Sequence, residues 1–413
     1  MPRSSLGFHT ITVSLMIPEK DALQLIMDFR EYHSTTGSLR MYYMDPRDKQ
    51  LKIYRPKDAH VFLPCLLMIY YERYNGIKWS IRSIGDFYGI NTYMIDATIN
   101  PKMMGDIHDY ITAATYDDMD AVISSFNLEA SKISPLLEDF YYYTLTRIDY
   151  CINLDLDELT DSCDPGLIMN LIKRGNIPHS YKEWTEYDGT AHRKKSKPGS
   201  FYLINNSVNI NCYSKYMQLL DRSKKNIEKG FDPIPQKTLD AARSIIRFEV
   251  QCKYHKVYMI SKEAERAGNH HRNKYEYLLT HECCLDVISS YFNKIIGRGD
   301  LYTLQKAIGM INSQSFNGQK AKRLIDALQL VNQCRSVAKA KDILQGHDLK
   351  VFKQALKELS ALRINPVTIP KEWGIKHIPN FLYAYYDKVQ EERNKREMED
   401  FQRECLNKYF HSH

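Results

Sequence analysis

The chain contains 413 residues, of which 43% are hydrophobic and 26% charged, a balance typical of globular proteins and not of disordered ones. This length predicts two or three domains. The formal net charge is only +7, so a polyanionic partner would have to bind a local basic surface, because the protein as a whole is not strongly basic.

The sequence contains no run of the roughly 18–20 apolar residues that a membrane-spanning helix requires. Its first residues also lack the apolar core and cleavage site of a secretion signal. We therefore expect a cytoplasmic protein without a membrane partner. The nine cysteines are odd in number and form no C-x-x-C pair, which argues against a disulfide framework and against a cysteine zinc site.

Strand patterns dominate the chain up to about residue 255. In 146–154, for example, Ile148 and Ile152 share one face of a strand while Arg147 and Asp149 share the other, which is typical of a half-buried strand. Asn205, Asn206 and Ser207 supply turn chemistry between two such segments. The predicted strands are 9–17, 91–99, 146–154, 201–204, 208–213 and 245–253.

Helical periodicity fills the gaps between these strands and dominates the chain after about residue 256. The predicted helices of the first half are 18–32, 103–114, 116–126 and 213–229. Those of the second half are 275–296, 301–310, 319–331, 337–344, 348–362 and 379–408.

These elements predict an α+β protein with a mostly antiparallel sheet, flanking helices and an all-helical C-terminal part. The polar segment 264–274 is the best boundary, which gives a catalytic domain at 1–263 and a helical domain at 264–413. Within the helical domain, three short amphipathic helices with tight links have the spacing of a DNA-binding helix-turn-helix. A plain helical scaffold explains the same spacing equally well.

Three predicted strands place an acid or a tyrosine on a polar face. These residues are Asp149, Tyr213 and Glu249, and their side chains converge if the strands are neighbours. Two carboxylates on one side of a sheet repel each other unless a cation lies between them, and oxygen ligands suit Mg²⁺ or Mn²⁺. The ordinary alternative is a solvated Arg–Asp face and a tyrosine that packs with its hydroxyl toward water.

A tyrosine beside such a metal is a plausible nucleophile for phosphoryl transfer. Its attack on a phosphodiester would produce a covalent phosphotyrosine. The phenol has an ordinary pKa near 10, so Tyr213 would need activation by a nearby cation. Lys215 and the metal are both candidates.

Four motifs in a fixed order resemble the rolling-circle replication initiators, in particular the filamentous-phage gene II proteins and the Rep_trans-type plasmid replication proteins. The motifs are YMIDATINPKMMG (93–105), LTRIDYCINLD (145–155), FYLINNSVNINCYSKYMQ (201–218) and SIIRFEVQCKYHK (244–256). The resemblance implies an enzyme that nicks one strand of origin DNA, stays linked to the 5′ phosphate through a tyrosine, and leaves a 3′ hydroxyl that primes synthesis.

The resemblance also implies roles for individual residues. By position, Tyr213 matches the nucleophilic tyrosine of the Y-x-K element and Lys215 matches its lysine. Asp149 and Glu249 match the acidic metal-site positions, and Asp96 is a further acidic candidate. A second tyrosine, Tyr216, follows three residues after Tyr213; it is either a nucleophile or a packed aromatic.

The implied partners are origin DNA, single-stranded or cruciform, and the host helicase and DNA polymerase. Two basic clusters flank the Tyr213 hairpin and could contact phosphates, although each could also be a solvated loop. Tyr181, Trp184 and Tyr187 could stack on bases or simply pack locally. The candidate DNA-binding residues are Arg193, Lys194, Lys195, Lys197, Arg222, Lys224 and Lys225.

Two other functions remain open at this point. One is a non-catalytic protein that binds an origin or operator, and the other is a mobilisation relaxase with the same chemistry in conjugation. The sequence contains no G-x-x-x-x-G-K-[ST] helicase motif. This absence argues against a large relaxase only and leaves other mobilisation relaxases open. Chelation of divalent metal should abolish nicking and leave simple binding intact.

Overall fold

The computed structural model describes residues 4–45, 47–54, 65–72, 75–87, 90–105, 111–160, 164–183, 199–228, 230–268 and 275–411. Within these residues, eleven strands form one sheet in which the paired strands are antiparallel. The strands are β1 (Ser5–Pro18), β2 (Leu39–Met44), β3 (Leu51–Ile53), β4 (Leu66–Tyr71), β5 (Ile77–Phe87), β6 (Ile90–Ile99), β7 (Thr144–Asp155), β8 (Lys182–Glu183), β9 (Ser200–Ile204), β10 (Val208–Ser214) and β11 (Ile245–Cys252).

The strand order is β3-β2-β4-β5-β6-β1-β7-β11-β10-β9-β8. The six predicted strands correspond to β1, β6, β7, β9, β10 and β11. The sequence reading missed β2 to β5 and the short β8. The nearly continuous apolar run LLMIYY of β4 carries no alternation, so periodicity could not identify it as a strand. In β5 the alternation is present, because Ile77, Trp79 and Ile81 are buried and the residues between them are not.

Helices flank the sheet and make up most of the second half of the chain, which confirms the α+β prediction. Single 3₁₀ turns lie at Tyr116–Asp118, Phe140–Tyr142 and Lys371–Trp373, and a separate pair of short strands is formed by β12 (Leu301–Tyr302) and β13 (His377–Ile378). The helices are α1 (Glu19–Thr36), α2 (Pro101–Met104), α3 (Met119–Ile133), α4 (Leu156–Leu159), α5 (Pro165–Ile172), α6 (Lys215–Glu228), α7 (Gln236–Ala241), α8 (Tyr254–Arg266), α9 (Tyr275–Leu278), α10 (His281–Ile295), α11 (Leu304–Asn312), α12 (Gly318–Cys334), α13 (Val337–Asp342), α14 (Gly346–Ala361) and α15 (Phe381–His411).

The predicted helix over 103–114 is confirmed only at Met103 and Met104 and is wrong at residue 105 and at 111–114. Helix α2 stops at Met104, and residues 111–114 are not helical. Instead, Ala114 pairs with Phe8 of β1 through two backbone hydrogen bonds of 2.9 and 3.0 Å. The neighbouring Gly7 permits this approach, because a Cβ there would lie 2.0 Å from the Ala114 carbonyl oxygen. This long-range pairing overrides the local helical pattern.

One face of the sheet is apolar and packs against helices. Trp79 of β5 lies 6.0 Å from Phe29 of α1 and 5.5 Å from Phe126 of α3, measured between ring centres. At the other end of the same face, Phe248 of β11 contacts Phe292 of α10 at 5.4 Å. Burial of these large side chains provides the main stabilisation of the fold.

The C-terminal helices are joined to the sheet by buried polar contacts. The Tyr150 hydroxyl of β7 donates to the Leu278 carbonyl at 2.7 Å, and the Cys284 thiol of α10 donates to the Gly7 carbonyl at 3.0 Å. Helix α10 is thus a layer over the sheet. The division into domains at residue 263 stays a prediction.

Among the described residues, none of the helices is both long and apolar enough to cross a membrane.

Candidate functional site

The opposite face of the sheet is polar where β7, β11 and β10 lie side by side. Directly opposed residues in antiparallel strands project to the same side of a sheet. The pairing therefore aligns polar side chains in rows across the three strands. The rows are Asn209, Gln251 and Asp149; Asn211, Glu249 and Cys151; and Tyr213, Arg247 and Asn153. Together these rows form a polar patch.

Tyr213 and Glu249 are linked by a short hydrogen bond. The Tyr213 hydroxyl donates to Glu249 Oε1 at 2.6 Å, and the two residues are 7% and 9% exposed. Burial, followed by the charge of Glu249, raises the pKa of the Tyr213 phenol well above its ordinary value. The phenol is therefore held protonated at neutral pH, with its proton directed at a carboxylate.

Asp149 is held by an arginine from its own strand. Arg147 donates from Nε to Oδ1 at 2.9 Å and from Nη2 to Oδ2 at 2.7 Å, so the pair is bidentate. Gln251 Nε2 adds a third contact at 3.4 Å. Burial raises the pKa of Asp149, and the bonds from Arg147 oppose this shift.

A second arginine, Arg247, belongs to the patch and is fully buried, with 1% of its surface exposed. Its Nε donates to Asn153 Oδ1 at 2.6 Å and its Nη2 donates to the Ile111 carbonyl at 2.7 Å. Its Nη1 lies 3.7 Å from Glu249 Oε1. The cations next to the two carboxylates are therefore guanidinium groups supplied by the same strands, a role that the sequence argument had given to a metal.

Lys215 begins α6 directly after β10 and is only 3% exposed. Burial, together with the charge of Arg247, lowers its pKa well below the ordinary value, and Glu249 opposes this shift. A buried lysine without a dominant carboxylate partner costs folding free energy. Lys215 is close enough to Arg247 and Glu249 for both charges to act on its amine, and its role as the lysine of the Y-x-K element stays a prediction.

His9 is a site residue that the sequence argument missed. The register of β1 against β7 shifts between Phe8 and Thr10, so His9 is the extra residue of a β-bulge. Its Nδ1 lies 3.5 Å from Glu249 Oε1. Burial, and then the charges of Arg247 and Lys215, hold its pKa well below the usual value. Strand alternation alone could not reveal a residue displaced by a bulge.

Tyr202 of β9 is a second tyrosine on this face that the sequence argument did not single out. It lies opposite Asn211, and its hydroxyl accepts a hydrogen bond from Asn209 Nδ2 at 2.9 Å. The charges of Arg147 and Asp149 both act on its phenol. The sequence did contain a signal for Tyr202. It lies between Phe201 and Leu203, which are buried, so alternation places its side chain on the opposite, polar face of the strand.

Asp96 shares the polar face but lies apart from the other two acids. It opposes Ser14 of β1, whereas Asp149 opposes Thr10, four residues or roughly 13 Å along the strand. Its oxygens accept from Ser14 Oγ at 2.5 Å and from Arg82 Nε at 2.8 Å. The register therefore does not bring Asp96 together with Asp149 and Glu249.

The residues of the patch do not form a ready-made metal site. Both oxygens of Asp149 are bound by Arg147, and Glu249 Oε1 already accepts from Tyr213. Within the described part of the chain, no three His, Cys, Asp or Glu side chains are arranged to hold an ion. A divalent cation at Asp149 would have to share the carboxylate oxygens with Arg147 or displace it, because each oxygen already accepts one guanidinium bond.

The remaining predicted residues lie around the patch or outside the described residues. Tyr216 packs against Leu219 and Ile234, with the Arg243 guanidinium 5.5 Å from its ring centre. Arg222 Nη2 contacts Met103 Sδ at 3.5 Å, and Lys224 and Lys225 are exposed on α6. Tyr181 is buried. The residues that fall outside the described ranges are Trp184, Tyr187, Arg193, Lys194, Lys195 and Lys197.

Comparisons with known proteins do not assign this chain to a family. No protein-family profile matches the chain, and no curated protein matches it. Among solved structures, that of a rolling circle replication initiator protein from Geobacillus stearothermophilus is similar over 71% of this chain and 85% of the other, with 7% identity and a TM-score of 0.29. A TM-score this low does not establish a common fold.

Proposed function

We propose that this protein is a replication initiator that nicks one strand of origin DNA through Tyr213 and so starts rolling-circle replication of a plasmid or phage. The observation that carries the proposal is the 2.6 Å hydrogen bond from the Tyr213 hydroxyl to Glu249. It lies in a patch that also holds Arg147, Arg247 and Lys215. A nucleophile paired with a proton acceptor and surrounded by cations suits attack on an anionic phosphodiester.

The transfer proceeds as a transesterification. The Tyr213 oxygen attacks phosphorus, its proton passes to Glu249, and the bond between phosphorus and the 3′ oxygen breaks. The leaving 3′ oxygen takes up a proton and becomes a 3′ hydroxyl, while the 5′ phosphate remains on Tyr213. A host polymerase would extend the 3′ end and a host helicase would unwind the duplex.

The positive side chains would hold the phosphate and favour the charge that develops on it. Arg147 is the natural cation for the phosphate to approach, because 35% of its side chain is exposed. His9 is exposed to a similar extent, 33%, but its lowered pKa leaves it neutral at neutral pH. The Tyr213 hydroxyl lies deeper. Access of a phosphodiester to this hydroxyl therefore requires local opening of the patch, and ionisation of the phenol requires the nearby arginines to offset the charge of Glu249.

A requirement for Mg²⁺ or Mn²⁺ stays a prediction. Asp149 accepts from Arg147 and Glu249 Oε1 accepts from Tyr213, so the proposed transfer of the Tyr213 proton uses these side chains alone. Comparison of adduct yield with Mn²⁺, with Mg²⁺ and with EDTA decides whether a divalent ion takes part.

The decisive experiment is capture of the covalent intermediate. Because the origin sequence is unknown, the purified protein is incubated with a pool of random single-stranded oligonucleotides, and complexes that survive denaturation in SDS are digested and analysed by mass spectrometry. We expect a nucleotide on the peptide that contains Tyr213. Modification of Tyr202 or Tyr216 instead would overturn the nucleophile assignment and keep the reaction class.

The second candidate is a DNA-binding protein without strand transfer. Its support is the burial of Tyr213 and the complete pairing of its hydroxyl, which an ordinary structural tyrosine would also show. Retention of oligonucleotides that resists EDTA, with no complex surviving SDS, would favour this function over nicking.

A further inference from the structure

A basic cavity lies among the C-terminal helices, away from the polar face of the sheet. Its volume is about 510 Å³, which is in the range of small-molecule sites. It is lined by residues of α10, α13 and α14 and by the glycine-containing turn at 297–299. Five of the lining side chains are cationic, and none of the described lining residues is an Asp or Glu. The five cations are Lys294, Arg298, Lys341, Lys353 and Lys357.

The cations come from three separate helices and one turn, so their convergence is a product of the tertiary structure. Lys353 and Lys357 are one turn apart on α14, a spacing at which like charges repel. Elsewhere on α14, Glu358 pairs with Arg323 of α12 at 2.7 Å. The carboxylate of Glu358 is thus engaged with cations of α12, and among the described residues no ion pair joins it to Lys353 or Lys357.

Lys341 is the most enclosed of the five. It is half-buried, whereas the other four cations are exposed at the rim. Its Nζ donates to Asn176 Oδ1 at 2.7 Å, which fixes the end of the side chain. Burial, and then the charge of Lys353, lower the pKa of this amine. An anion in the cavity would relieve the repulsion between Lys341 and Lys353.

We infer that this cavity is a phosphate-binding site. Several lysines and one arginine around a cavity without carboxylates suit a group that carries more than one negative charge and several acceptor oxygens. The phosphates of a DNA strand and those of a free nucleoside polyphosphate share this chemistry. The inference does not depend on strand transfer at Tyr213.

The test measures binding of two probes to the full-length protein in the Tyr213→Phe background, in which covalent capture plays no part. The probes are a fluorescent single-stranded 20-mer and a fluorescent ATP analogue. The double variant Lys341→Gln/Lys353→Gln removes two cavity cations. Its matched control, Lys339→Gln/Lys350→Gln, removes two exposed cations from the same two helices that do not line the cavity.

We expect the cavity variant to lose about tenfold or more in affinity for at least one probe, and the control to lose less than about twofold. Loss for the 20-mer alone, with a salt slope reduced by about 1.4, identifies a DNA strand as the ligand. Loss for the ATP analogue alone identifies a free nucleotide. Equal effects of the two variants, or no effect on either probe, would overturn the inference and leave the proposed nicking reaction intact.

Discussion

Tyr213 of β10 and Glu249 of β11 lie two positions out of direct register and are joined by a hydrogen bond of 2.6 Å. The register of the two strands places Arg247 directly opposite Tyr213. A phenol, a carboxylate and a guanidinium thus meet on one face through the pairing of two strands. This unit is the centre of the proposed reaction.

Tyr213→Phe should abolish the covalent DNA adduct and lower the free energy of unfolding by about 1 kcal/mol, because it removes one buried hydrogen bond and leaves Glu249 short of a donor. SDS-resistant adduct and urea denaturation measure the two effects. Tyr216→Phe is the matched control, since Tyr216 packs through its ring in a separate cluster, and it should retain the adduct. A wild-type adduct yield in Tyr213→Phe contradicts the assignment.

Arg147→Gln should destabilise the protein by about 1–3 kcal/mol, because it leaves the buried carboxylate of Asp149 without its bidentate partner. Asp149→Asn should reduce this cost when the two changes are combined. A double-mutant cycle by urea denaturation should give a coupling free energy on the order of 1–2 kcal/mol. Additive effects of the two substitutions would show that the pair contributes nothing beyond its separate side chains.

Lys215→Met should raise the free energy of unfolding by on the order of 1 kcal/mol, because burial of this amine lowers its pKa and so opposes folding at neutral pH. The same change should reduce adduct formation at least tenfold if the lysine acts on the phosphate or on Tyr213. Lys322→Met, on the exposed surface of α12, is the control for loss of charge. A stable variant with full activity would assign Lys215 no part in the reaction.

Stability should fall as the pH drops below about 6.5, through His9. Burial lowers the pKa of His9 in the folded protein, so between that lowered value and about 6.5 the unfolded chain binds the extra proton and unfolding becomes easier. Relative to His9→Gln, the wild type should lose about 1 kcal/mol between pH 6.5 and 5.5, measured in EDTA by urea denaturation. The charged groups that face His9 are Arg147, Asp149, Lys215, Arg247 and Glu249.

A parallel loss of stability in the wild type and in His9→Gln over this range would assign the acid sensitivity to other groups. Asp149 does not mimic the effect, because burial raises its pKa and the folded state then binds more protons, not fewer. Lys215 acts in the same direction as His9 but is present in both proteins, so it cancels in the comparison.

Lys224→Gln/Lys225→Gln should weaken binding of single-stranded DNA and reduce the slope of log affinity against log salt by about 1.4, if both exposed lysines of α6 contact phosphates. Fluorescence anisotropy between 50 and 200 mM salt measures the slope. Lys320→Gln/Lys322→Gln on α12 is a control with the same change of charge. An unchanged slope would place the DNA path elsewhere.

The sequence alone determined which face of each central strand is polar. Alternation is a local property with a period of two, so Asp149, Tyr213 and Glu249 could be assigned to a polar face before the strands were placed. The same local reading correctly predicted six strands, the α+β class and a helical second half. It missed β4, whose apolar run carries no alternation, and 111–114, whose pairing partner lies in β1. It also missed β2, β3 and β5, although β5 does alternate, with Ile77, Trp79 and Ile81 on its buried face.

Only the tertiary structure decided which of these polar residues meet. Strand order and register depend on hydrogen bonds between distant segments, and a shift of four residues separates Asp96 from Asp149. A bulge directs His9 toward Glu249, and cross-strand pairing places Arg247 opposite Tyr213. The sequence could identify two carboxylates that need a cation between them, but packing decided that arginines from the same strands lie beside them.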